Sequence, residues 1–227
     1  MKKILKLVIL FIISMSVYYI YKGTKDSNTI ILNIGDELAV GINSFGIDDY
    51  SYADYYKLKI ESYNTNVEII NNYAEDNLSL KLLQEKLKNT NEIKKDLINS
   101  HILFICLGYN DLKYKLSLEE NININRLNLI ISQIESDYNN VIKEIRKYYK
   151  NKIIVIGYYN TNSTDYYLNN GIIKLNRVLK NNKDVVFIDT YNEIKGDYYL
   201  SNPGSYYPNN KAYQLIADKI IAKTLEN

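Results

Sequence analysis

The chain has 227 residues, 28 basic and 26 acidic side chains, 24 Tyr, no Trp and one Cys, for a formal charge of +2. The positive excess lies at the N-terminus, at Lys2, Lys3, Lys6, Lys22 and Lys25, so the remainder is near neutral and shows no electrostatic footprint for nucleic acid. The length suits one α/β domain, and a single Cys excludes an internal disulfide; Cys106, inside the apolar run ILFICLG, reads as a buried small hydrophobe. Most of the tyrosines are expected as surface or half-buried packing residues.

The first 22 residues have a basic start, an uninterrupted apolar run from Leu7 to Ile13 and a Tyr-rich end before Lys22. This pattern predicts a membrane segment. Leu7 to Tyr21 is short for a span of roughly 20 residues, but Ile4 and Leu5 extend it and Lys6 can snorkel. With neither an A-x-A cleavage site nor a lipobox Cys following, an uncleaved signal anchor is favoured over a removed signal peptide. The positive-inside rule then places the rest of the chain outside the cytoplasm. Residues 23–29 form a polar linker, and residues 30–227 form the domain.

Four apolar runs, TIILNI, ILFICL, KIIVIGY and DVVFID, read as strands buried on both faces, and NVEIIN from Asn66 as a weaker fifth. Helical periodicity is clearest over Arg126 to Tyr149 and recurs over Asn77 to Lys88, Leu168 to Leu179 and Asn210 to Leu225. Strands alternating with helices predict a parallel sheet between helical layers, with the functional site beyond the C-terminal strand ends. The Tyr-rich stretches 48–56 and 163–170 read as loops, able to pack or to offer a stacking surface.

Three loops at those strand ends carry motifs. GDELAVG (35–41), LGYND (107–111) and YYPNNKAYQLIADKI (206–220) resemble, in order and spacing, three blocks of the SGNH, or GDSL, hydrolase family of esterases and acylhydrolases. The resemblance covers residues 30 to 225. It implies a flavodoxin-like three-layer α/β/α sandwich around a five-stranded parallel sheet, preceded here by the N-terminal membrane helix. It also implies substrates such as small esters, acyl lipids or O-acetylated envelope glycans, and no cofactor.

The family's chemistry needs a Ser nucleophile, a His base, an orienting Asp and oxyanion donors. Matched residue by residue, the nucleophile position is Glu37, the His position Tyr207 and the Asp position Gly204. The block that supplies an oxyanion Gly matches NNYAEDNLS (71–79) with Asp76 at the Gly, and Asn110 alone keeps its family identity. His101, the chain's one His, opens the third strand, some 25 to 30 Å from Asn110 at about 3.3 Å per residue. The acyl-transfer machinery therefore reads as dismantled, which favours a binding protein over a hydrolase.

Glu37 admits three readings. It is a solvated acid left where a nucleophile stood, with Asp36 bonded to the turn backbone. Alternatively it is a general base or carboxylate nucleophile in a rebuilt cleft with Asp76, Asp111 or Tyr207. A third reading makes these acids ligands of a hard cation, although no known ligand spacing is present.

Overall fold

The computed structural model describes residues 11, 13–16, 28–63, 65–161, 163–202 and 207–225. The expected anchor and linker, and Gly204 with them, fall largely or wholly outside these residues. Among the described residues no helix is long and apolar enough to cross a membrane.

Five strands, β1 (Thr29–Gly35), β2 (Val67–Ala74), β3 (Ile102–Cys106), β4 (Ile153–Ile156) and β5 (Val185–Ile188), form one parallel sheet in the order β2-β1-β3-β4-β5. The central strands β1, β3 and β4 are apolar and buried along most of their length, as a sheet covered on both faces requires. The weaker fifth run is the edge strand β2, whose exposed Glu68, Asn71 and Asn72 account for its faint signal.

Eight helices connect the strands among the described residues after residue 28: α1 (Glu37–Val40), α2 (Tyr52–Glu61), α3 (Leu80–Asn89), α4 (Asn91–Asn99), α5 (Tyr109–Ser117), α6 (Ile124–Tyr148), α7 (Tyr166–Asn181) and α8 (Asn210–Leu225). Helix α2 packs on α8, while α3, α4, α5 and α7 pack on α6. On α6 the expected stripe from Leu127 to Ile145 is buried, and Asn123 caps its start by accepting from Arg126 N at 3.0 Å.

Part of the stretch expected as a Tyr-rich loop is α2. A capping box between Ser51 and Asp54 starts the helix, and Tyr52 and Tyr56 bury their rings against Phe104, with centroids 6.1 and 5.3 Å away. Tyr residues also fill the core at positions 138, 149 and 213, so packing takes more of them than composition suggests. The turn before α2 is tight: Gly41 has φ +98°, and a Cβ there would lie 2.4 Å from the Asp49 carbonyl.

Register along β1 and β2 slips between Leu32 and Ile34. At this bulge lies Asn33, fully buried in a central strand. Its Nδ2 donates to the Ala39 carbonyl and to Asn71 Oδ1, both at 3.0 Å, and its Oδ1 accepts from the Tyr52 hydroxyl at 2.9 Å. At the opposite end of the sheet His101 Nδ1 accepts from Ile30 N at 3.0 Å, far from the C-terminal strand ends as expected.

Candidate functional site

The turn from β1 into α1 is held from both sides. Asp36 N donates to the Cys106 carbonyl at 3.0 Å, and a Cβ on Gly35 would meet that same oxygen at 2.5 Å and Ala39 Cβ at 2.6 Å. Asp36 caps α1, its Oδ1 accepting from Leu38 N at 3.3 Å. Its Oδ2 accepts a short hydrogen bond from the Tyr158 hydroxyl, delivered by the end of β4. Burial, then the neighbouring Glu37, pushes the Asp36 carboxyl well above the usual carboxylate range. Burial and Asp36 likewise raise the Tyr158 phenol. A carboxyl biased towards its neutral form thus meets a phenol that keeps its proton.

Glu37 is not the solvated acid expected. It is only 9% exposed, and its Oε1 accepts from Lys113 Nζ at 2.8 Å. Lys113 lies about one turn into α5 and also stands 4.8 Å from the ring centroid of Tyr109. The second oxygen, Oε2, is buried with no hydrogen-bond partner among the described residues. The correction has a simple cause: α5 follows directly on the end of β3 and brings a lysine over the turn, a pairing that no local pattern around residue 37 announces.

Asn110 and Asp111 are spent on structure. Asn110 Nδ2 donates to the carbonyls of Asp76 and Leu78 at 2.7 and 3.2 Å, which uses both amide hydrogens and leaves none for an oxyanion. Asp111 Oδ2 accepts from Leu80 N at 3.0 Å at the start of α3; burial raises its carboxyl above the usual range. Together they tie the 76–80 segment to α5. Asp76 is exposed at the rim, its carboxyl raised by desolvation and by the charges of Asp48 and Glu37.

Tyr207, immediately before Pro208 and α8, is half-buried. Its phenol is pushed up by burial and then by Glu37. With Asp36 and Glu37 it lines a cavity of about 190 Å³, which Lys113, Thr161 and four further tyrosines complete. Of the residues singled out from sequence, Asp36, Glu37 and Tyr207 therefore meet at one cavity, whereas Asn110, Asp111 and Asp76 stand behind or beside it. Lys113, Tyr109, Tyr158, Tyr159 and Tyr213 escaped sequence reasoning. The rule that strand ends build the site would have pointed to Tyr158, because it ends the β4 run.

The cavity wall holds no Ser, Cys or His among the described residues, and its aliphatic hydroxyl, Thr161 Oγ1, is buried without a hydrogen-bond partner, so no base primes it. Nor does any group of three His, Cys, Asp or Glu stand ready for a metal ion among the described residues.

No family model and no curated protein matches this sequence. Solved structures do. A lipase from a goat rumen metagenome aligns over 86% of this chain and 96% of its own at 23% identity and a TM-score of 0.71. An acetylxylan esterase from Geobacillus stearothermophilus aligns over 86% and 93% at 13% identity and a TM-score of 0.62. A lipase/acylhydrolase from Enterococcus faecalis aligns over 86% and 93% at 18% identity and a TM-score of 0.56.

Proposed function

We propose that this chain, which has the SGNH/GDSL-hydrolase fold of those neighbours, binds a small ligand at the site rather than hydrolysing an ester there. One observation carries the reading: at the family's nucleophile position Glu37 is locked to Lys113. A carboxylate paired to an ammonium is a poor nucleophile, and a carboxylate at this point repels a developing oxyanion. The one family donor still present, Asn110, has its amide hydrogens engaged elsewhere.

The reading includes tethering through residues 1–22 and a domain on the extracytoplasmic side, supported by the basic start and apolar run of that segment. Esters, acyl groups and acetylated envelope glycans are the ligands to which the resemblance points.

A second reading rests on the unpartnered Glu37 Oε2, which would let Glu37 act as a base or carboxylate nucleophile in a hydrolase with relocated groups. The purified full-length protein in detergent decides between the two, assayed on short-chain aryl esters and acetylated sugars beside Glu37→Gln. No turnover above the variant is expected. Turnover that disappears in the variant would overturn the binding reading and make Glu37 catalytic.

A further inference from the structure

The cavity is small, walled by aromatic rings and poor in donors. Its volume of about 190 Å³ lies below the usual range for drug-sized ligands. Five tyrosines line it: Tyr109, Tyr158, Tyr159, Tyr207 and Tyr213. Two of them spend their hydroxyls elsewhere, Tyr158 on Asp36 and Tyr213 on the Ile42 carbonyl at 2.7 Å. What these two offer a ligand is ring carbon.

Charge separates this wall from an ordinary apolar pocket. Lys113 is the one cationic side chain on it among the described residues, and its ammonium already answers Glu37 Oε1. The other carboxylate oxygen of Glu37 is buried without a partner among the described residues. Asp36 is on the wall as well, and Asp76 and Asp48 lie close enough to act on one another and, through Asp76, on the Tyr207 phenol. Asp36 is biased towards its neutral form, so the acidic feature a ligand meets on the wall is the Glu37 carboxylate with its open oxygen. The protein also shows in itself what the wall accepts, for Lys113 stands over the face of Tyr109.

Aromatic faces attract cations through their quadrupole, most strongly where water is excluded. We propose that this cavity takes a small organic ammonium ion, held by tyrosine faces and the open carboxylate oxygen of Glu37, whose charge it would share with Lys113. The inference rests on the reading that the site binds rather than cleaves, and it narrows the ligand from the esters and glycans of the resemblance to a cation. It also assigns Lys113 a role: a tethered ammonium that competes with the ligand for Glu37 and Tyr109.

The test is calorimetric titration of the full-length protein with choline chloride and with 3,3-dimethyl-1-butanol, its uncharged carbon isostere, at matched ionic strength. Choline should bind saturably and at least about tenfold more tightly than the isostere. Glu37→Gln should weaken choline by a comparable factor, and Lys113→Met should tighten it several-fold by removing the competitor. Equal binding of the isostere, or no saturable binding of choline, overturns the inference, and neither result depends on a variant folding. Acetylated xylose titrated beside them keeps the two readings apart. If it binds where choline does not, the ammonium inference falls and the binding reading stands. If esters are turned over in a Glu37-dependent way while choline still binds, the binding reading is the one that falls.

Discussion

Two buried polar clusters lie within a few residues of each other along β1, and they are built on opposite terms. Around Asn33 every partner is present: two amide hydrogens, one amide oxygen and a tyrosine hydroxyl close on one another with nothing left over. Around Asp36 and Glu37 the partners run short among the described residues, with a crowded carboxyl, a phenol raised by burial and a carboxylate oxygen that meets no donor. A satisfied network fixes a bulged strand, whereas an unsatisfied one costs free energy that the rest of the fold must offset. The second arrangement is the one expected of a site that waits for something to bind.

Asn33→Ala removes three hydrogen bonds and strands the buried Tyr52 hydroxyl, so unfolding by urea should show a loss of ~3 kcal/mol or more. Tyr158→Phe probes the other cluster. It leaves Asp36 Oδ2 without its donor and should cost about 1–3 kcal/mol in the same experiment, with the Asp36 carboxyl driven further up.

The two clusters respond differently to pH. The Asp36 carboxyl is raised in the folded state, so the folded protein holds this proton more tightly than the unfolded chain does. Its contribution is therefore fully present below the ordinary carboxylate value and is lost as pH rises through the folded value. Thermal midpoints measured across that window should fall with rising pH in the wild type, and Asp36→Asn should flatten the fall. Asn33 does not titrate, so Asn33→Ala should lower the whole curve and leave its shape alone.

Smaller effects follow at the rim. Asn110→Ala frees two loop carbonyls and should cost about 1–2 kcal/mol, seen also as faster amide exchange over residues 76–80. Lys113 is 39% exposed but Glu37 is buried, so Lys113→Met strands a carboxylate and should cost about 1–2 kcal/mol after allowance for solvent at the lysine. A large loss in that variant would mean that the pair holds the fold rather than tunes the site.

The sheet was legible in the sequence because its central strands are buried on both faces and so appear as unbroken apolar runs, with Ile31, Leu103 and Ile154 at their centres. Helix α6 was legible because its apolar residues recur at helical spacing from Leu127 to Ile145, about five turns. Helix α2 was not, because Tyr at 52, 55 and 56 hides an inward-facing stripe within a composition that looks uniformly Tyr-rich. At the site, the motif order located Glu37 and Tyr207 through the resemblance. Lys113 stayed invisible, since its meeting with Glu37 joins residues 76 positions apart. The environment of Glu37, which decides its chemistry, is a tertiary fact.

Gly35 sets how much substitution the turn tolerates. Any side chain there would drive into the backbone of β3 and into Ala39, so a saturation library selected for folding should keep glycine alone at this position. Two residues later, at 37, the same library should be less strict, because that side chain borders a cavity and reaches a lysine rather than backbone. The backbone of this turn is thus closed to change while the functional group it presents stays open to it. A scaffold with that property can lose one chemistry and take up another without passing through an unfolded intermediate sequence.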